Sequence, residues 1–427
     1  MSQHLETIAL HEGQEVDPAT GSRSVPIYQT TSFVFKDTEQ AANLFALKEF
    51  GNIYSRIMNP TTDVLEKRCA ALEGGKAALC TASGMSAIFL AIHTILSAGD
   101  HIIASASLYG GTDTMFRYSL PKMGITVDFV EDLTAEKIAP LVKENTKLVY
   151  FETYGNPKGD VLDIQAICDE AHRHKLPVMV DNTFAPGLFK AFDYGVDIVI
   201  HSLTKWIGGH GTSIGGVIVD SGNFDWSSGR FPEFTEPDPR YHGMMLWDTF
   251  GNFPGVGNIA FIIKARVHGL RNLGMSLSPN NAFHFIQGFE TLPIRMEKHL
   301  SNARKLAEWL QNHPKIEWVN YTGFETHPSY ENCKKYLNNQ FPSVFTFGVK
   351  GGYEAGKKFI ESVKLASHLA NVGDAKTLVI HPSSTTHSQL KDDDQLKAGV
   401  KPDMVRVSVG LEHIEDIKAD FEQALNA

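Results

Sequence analysis

The chain has 427 residues, of which 42% are hydrophobic and 21% charged, and its formal net charge is −10. This is the composition of an ordinary globular protein, long enough for two or three compact units. The acidic balance argues against a general nucleic-acid binder, and no apolar run is long enough to cross a bilayer.

Residues 1–62 have little periodicity and many Thr, Ser, Gln and Pro, which suggests an extended arm with one short helix near Thr38 to Phe50. Residues 63–285 alternate apolar runs with helical patterns, as expected of an α/β domain with a mainly parallel sheet. Its strands are expected at Ala77–Leu79, His101–Ala104, Val127–Phe129, Leu148–Phe151, Val178–Val180 and Ile198–Ile200, with helices at Met85–Leu96 and Ile164–His174. About 220–248 the chain becomes rich in Pro, Gly and aromatics, which marks an insertion outside the sheet. A long helical stretch then runs to about His313. Leu300, Ala303, Leu306, Ala307 and Leu310 form a single apolar face toward its end. Residues 286–427 mix strands at Ser343–Val349 and Met404–Val409 with helices. They close on Ile414, Ile417, Phe421 and Leu425 at helical spacing, the pattern of a smaller α+β domain.

Cys69, Cys80, Cys168 and Cys333 form no Cys-x-x-Cys, so reduced thiols in a cytoplasmic protein are expected. The N-terminus lacks a basic segment followed by an apolar one, so no secretory signal is expected. Eighteen histidines include no His-Glu-x-x-His, so no metal site is expected. The glycine-rich run from Gly208 lacks the Gly-Lys-Ser/Thr ending of a nucleotide loop, and no Gly-x-Gly-x-x-Gly follows the first strand.

Asp181 and Lys205 each follow a short apolar run that looks like a buried parallel strand. In open α/β sheets, ligands sit beyond the carboxyl ends of strands. An amine and a carboxylate delivered there suit pyridoxal 5′-phosphate (PLP). The amine forms a Schiff base with the aldehyde, and the carboxylate keeps the ring nitrogen protonated. Asp181 is equally a helix N-cap when considered alone. Ser83-Gly84-Met85 opens an apolar helix, whose free N–H groups favour a phosphate, and the hydroxyls of Ser202 and Thr204 can join them. Tyr109 follows a strand and can stack on the ring or be a structural tyrosine. Asn156, before Pro157, can hold the cofactor's phenolic oxygen or simply mark a turn. Arg406, inside an apolar strand, calls for a carboxylate, from an amino-acid substrate or from a structural ion pair.

Together, Tyr54-Ser-Arg56 with Asn59-Pro-Thr, Ser83-Gly-Met-Ser-Ala, Asp181-Asn-Thr-Phe and His201-Ser-Leu-Thr-Lys205 resemble the Cys/Met-metabolism family of PLP enzymes over nearly the whole chain. The resemblance implies fold type I, with a three-layer αβα large domain and a smaller C-terminal α+β domain. It implies that Tyr54 and Arg56 reach the phosphate of the adjoining subunit, so that a homodimer is the active unit and a homotetramer is usual. Gly84, Met85, Ser202 and Thr204 would bind phosphate, while Lys205, Asp181, Tyr109 and Arg406 would take the roles argued above.

Within the family the chain is most similar to the O-acetylhomoserine sulfhydrylase branch, on the insertion and on Asn371-Val-Gly-Asp-Ala-Lys376. Members that handle cystathionine carry a serine and a glutamate where this chain has Asn371 and Lys376. A lysine there would repel the ammonium of a cysteine-containing substrate, favouring sulfide. Asn371 would help hold the substrate carboxylate. The alternatives are a cystathionine γ-synthase or γ-lyase, a methanethiol-using enzyme that makes methionine, and a non-catalytic binding protein on the same fold.

Overall fold

Val178-Met-Val and Ile198-Val-Ile are buried on both faces, the condition for interior strands of a parallel sheet. The computed structural model describes residues 3–427 except 156, 157, 387, 390 and 398. Its strands β1 (Ala77–Thr81), β2 (His101–Ser105), β3 (Thr126–Val130), β4 (Thr146–Glu152), β5 (Val178–Asp181), β6 (Ile198–Ser202) and β7 (Gly216–Asp220) form one sheet. Their order is β1-β7-β6-β5-β4-β2-β3. β7 runs antiparallel to both its neighbours, whereas the joins from β6 to β3 are parallel.

Alternation along the strands feeds two cores. Val149, Phe151, Val180 and Val199 face one core, with residues of the Pro60–Glu73, Ile164–Arg173 and Pro279–Glu290 helices. Leu148, Tyr150, Met179 and Ile200 face the other, with the Gly84–Ile95 helix. The large unit is therefore a three-layer αβα arrangement. A second sheet consists of β8 (Ile316–Asn320), β9 (Val344–Val349), β10 (Ser367–His368), β11 (Leu378–Ile380) and β12 (Met404–Ser408), in the order β10-β11-β12-β9-β8. Helices Leu292–Gln311, Gly352–Ser362 and Ile414–Leu425 contribute to its core.

The six expected strands of the large sheet all form, and β7 is an addition. Its short Gly216-Val-Ile-Val run has no alternation to announce it. β8, β10 and β11 are further additions; β8 is half-exposed, and β10 and β11 have two and three residues. Two expectations need correction, and one alternative for Asp181 falls away. The helix near Thr38 stops at Phe45, before Leu47 adopts a left-handed φ of 56°. The stretch leading to His313 is interrupted, because Gly274 at φ 80° ends one helix and Pro279 starts the next. No helix follows Asp181; its carboxylate accepts the Thr183 N–H at 3.0 Å and caps a turn instead.

The insertion builds an aromatic cluster against the sheet. Trp226 is fully buried, with ring centroids 4.9 Å from Phe234 and 5.3 Å from Phe261, both stacked. Replacing Trp226 with Ala removes that packing and should cost about 3–5 kcal/mol. Denaturant unfolding checks this, and a loss below about 1 kcal/mol would show that the cluster is not structural.

Candidate active site

Asp181 closes β5, and Lys205 lies three residues beyond β6, its parallel neighbour, in which Ile200 pairs with Asp181. Glu152, the last residue of β4, pairs with Asp181 on the other side. β4 and β5 therefore end at one level, with β6 running two residues further, and the space beyond such strand ends is the usual ligand position in these sheets. Burial lowers the Lys205 amine to about 8, helped by the positive charge of Arg406 and opposed by Asp181. Burial raises the Asp181 carboxyl, while Thr183 and the charges of His201 and Lys205 pull it back.

Behind this row, His201 Nε2 lies 2.7 Å from Glu73 Oε1, which also accepts from Asn182 Nδ2 at 3.1 Å. The Asn182 side-chain oxygen in turn accepts from the Thr153 hydroxyl at 2.9 Å. His201, Glu73 and Asn182 are buried, so this polar network locks the strand ends from below.

The small sheet supplies the opposite wall. Lys205 Nζ donates to Asn371 Oδ1. Arg406, on β12, donates a long 3.5 Å bond from Nη2 to the Asn371 carbonyl, and burial lowers its guanidinium to about 10, so it remains charged near neutral pH. The Asn371 loop is clamped twice. Ala375 N–H donates to Gly209 O at 2.8 Å, just after Lys205, and Gly373 N–H donates to Ser408 Oγ at 2.9 Å on β12. Lys376 is exposed, and its N–H caps onto Asp374 Oδ1 at 2.9 Å.

At the other end of the site, Ser83 caps the Gly84–Ile95 helix by accepting the Ser86 N–H at 3.0 Å. A Cβ on Gly84 would sit 2.8 Å from Ser202 Cβ and 3.2 Å from Ser202 Oγ, so only glycine allows the hydroxyl to approach the helix start. The first-turn N–H groups of Gly84 and Met85 have no partner within the helix, which makes an anion cradle. The Thr204 hydroxyl accepts from Gly215 N–H at 3.2 Å. Tyr109 is 49% exposed, and a Cβ on Gly111 would meet its ring at 2.6 Å.

The fold thus brings together Lys205, Asp181, Arg406 and Asn371 at one end and Gly84 and Ser202 at the other. It does not bring Tyr54 and Arg56 in from their own chain. Both are exposed, Arg56 stacks over the Tyr54 ring at 5.4 Å, and its guanidinium donates to Arg271 O at 2.7 Å. Asn156 lies outside the described residues. Sequence reasoning missed Glu152 and Thr183. Glu152 had the same signal as Asp181, a carboxylate closing an apolar strand; Thr183, whose hydroxyl accepts the Ser202 N–H at 2.8 Å, had none.

An aldehyde cofactor with a basic ring nitrogen and a phosphate tail fits this set, with the amine for the aldehyde, a carboxylate for the ring and the glycine-opened helix start for the phosphate. Fold and site are those of a PLP-dependent enzyme of fold type I. The chain belongs to the Cys/Met metabolism PLP-dependent enzyme family, whose profile matches residues 6–426. It is 58% identical over 424 residues to a Leptospira meyeri protein named O-acetyl-L-homoserine sulfhydrylase, covering 98% of this chain and 96% of that one. It is 54% identical over 428 residues to a Schizosaccharomyces pombe protein named homocysteine synthase, covering 99% and 98%. A solved Campylobacter jejuni structure is described as a putative O-acetylhomoserine (thiol)-lyase with N′-pyridoxyl-lysine-5′-monophosphate at position 205. It matches at a TM-score of 0.94 and 39% identity, with 100% of each chain covered.

Because Lys205 has a lowered pKa of about 8, its reaction with PLP in the cofactor-free protein should accelerate from about pH 7 and level off above about pH 9. Borohydride trapping against pH measures this. A rise that continues above about pH 10 would mean an ordinary lysine.

Proposed function

We propose that this enzyme carries out γ-replacement, converting O-acetyl-L-homoserine and sulfide into L-homocysteine and acetate. The observation that carries the reading is the Lys205–Asn371 hydrogen bond, which puts the reactive amine against the loop that differs from cystathionine-handling members. The names of the relatives, at 58% and 54% identity, support it.

The cofactor, when bound, supplies an aldehyde for the substrate amino group and a cationic ring that draws electron density from Cα. Arg406 clamps the substrate carboxylate, aided by Asn371. Lys205, already low in basicity, takes the Cα proton and returns protons later in the cycle. Asp181 holds the proton on the ring nitrogen. Tyr109 would cover the ring and assist proton transfer or departure of acetate. Gly84, Met85, Ser202 and Thr204 would hold the phosphate, and Asn156 would hold the phenolic oxygen. Loss of a β-proton and of acetate from Cγ leaves an unsaturated chain; HS⁻ adds at Cγ, and the protons return. Lys376, exposed beside Asp374, biases the entrance against a second ammonium.

Residues 1–62 act as an arm that carries Tyr54 and Arg56 to the phosphate of a second copy. Residues 63–285, with the insertion at about 220–248, form the cofactor domain, and residues 286–427 form the substrate-closing domain. The active unit is a homodimer, assembled further into a tetramer in the cytoplasm. Among the described residues, no helix is long and apolar enough to cross a membrane.

Lys205→Ala should abolish turnover, and Asp181→Ala should cripple exchange of the substrate α-proton, measured by deuterium incorporation; exchange at the wild-type rate would remove the assigned role of Asp181. Mixing Arg56→Ala with Lys205→Ala subunits should restore about a quarter of wild-type sites, because half of randomly paired dimers carry one intact site. No recovery after verified exchange would show that Arg56 does not act across subunits. The decisive assay supplies O-acetyl-L-homoserine with equal sulfide and L-cysteine, with products identified by mass spectrometry. Mostly homocysteine is expected, and mostly cystathionine would overturn the sulfide reading.

A further inference from the structure

Glu152 lies beside Asp181, and the mechanism leaves it unused. It closes β4 directly opposite Asp181 of β5, and parallel pairing in register sends both side chains out of the same face. Beneath them on that face lie Tyr150 and Met179, both fully buried. Glu152 itself is 5% exposed. Its Oε1 accepts the backbone N–H of Tyr109 at 2.6 Å. That N–H precedes the short Gly110–Thr114 helix, in which Tyr109 occupies the N-cap without a side-chain cap of its own. The Glu152 carboxyl therefore tethers the backbone that presents the exposed Tyr109 ring, and the glycine at 111 lets that ring lie close to the chain.

Two carboxyls on adjacent strands, a strand spacing apart, do not both ionise readily. The surroundings decide which one does. Asp181 receives the Thr183 N–H and faces the charges of Lys205 and His201. Glu152 receives the Tyr109 N–H and faces Asp181, with Asp160 adding further negative charge. Burial raises both carboxyls, Glu152 well above its ordinary range.

We propose that Glu152 is a positioning residue that works in its uncharged form: it anchors Tyr109 through the main chain and leaves the negative charge of the carboxyl pair on Asp181, where the ring nitrogen needs it. This rests on the reading of Asp181 and Tyr109 as cofactor-facing residues and is independent of which nucleophile the enzyme uses.

The test uses Glu152→Gln, Glu152→Ala and Asp181→Asn in the full-length chain, without substrate. Gln keeps the acceptor and mimics the neutral acid, so its PLP dissociation constant should stay within about threefold of wild type, whereas Ala should weaken PLP binding about tenfold. Near neutral pH, infrared difference spectra of the cofactor-free proteins should show a protonated-carboxyl band lost in Glu152→Gln and retained in Asp181→Asn. Equal weakening by Gln and Ala would show that Glu152 works as a charge. Wild-type affinity in the Ala variant would remove the tether. A band lost in Asp181→Asn but kept in Glu152→Gln would place the proton on the wrong partner. Should Glu152→Ala fail to fold, the Gln variant and the spectra decide alone. Because substrate is absent throughout, failure here leaves the sulfide reading intact, and failure of the nucleophile competition leaves this proposal intact.

Discussion

The site depends on one constraint: β4, β5 and β6 are parallel and adjacent, with β4 and β5 stopping at one level and β6 two residues beyond it. Parallel pairing fixes the level at which each strand releases its last side chain, so Glu152 and Asp181 emerge side by side, and the turn after β6 brings Lys205 within reach of the Asp181 charge. A charged group at a strand end over a packed core is poorly solvated, and its basicity or acidity moves accordingly. The same burial that raises Asp181 lowers Lys205. Burial and the Arg406 charge make the free lysine amine accessible near neutral pH against the pull of Asp181, and the Lys205 charge in turn helps the aspartate to ionise.

The second sheet completes what the first begins. Arg406 lies mid-strand in β12 and Asn371 in the loop before β11, yet both reach Lys205. They do so because the loop is tied at one end to the glycines that follow Lys205 and at the other to Ser408. The Ala375–Gly209 bond joins the two units, and the Gly373–Ser408 bond holds the loop to β12. The segments bearing Arg406 and Lys205 are thereby linked through one backbone–backbone and one backbone–side-chain hydrogen bond.

The helix Gly84–Ile95 presents its start at the other end of the site. Its start is crowded by Ser202, and glycine is the residue that tolerates the crowding. Tyr54 and Arg56 are exposed, with the Arg56 guanidinium over the Tyr54 ring and donating to Arg271 O. That exposure fits an arm whose contribution is made to another copy.

The sequence by itself determined the alternation of the large sheet, both strand-end residues Asp181 and Lys205, the helix start at Gly84 and the insertion. These are local signals: a run buried on both faces, a polar residue ending it, a capping serine before an apolar helix. Tertiary structure decided the rest. β7 reverses direction between β1 and β6, which no residue pattern announces, because strand direction is set by the path of the connecting chain. Glu152 had the same local grammar as Asp181, but its meaning lies in pairing opposite Asp181, a contact across 29 positions. Asn371 and Arg406 could be picked out by family resemblance and by the cost of a charge in a strand. Their meeting with Lys205 across more than 160 residues follows only from packing, because long-range proximity is paid for by the whole core and encoded in no single segment.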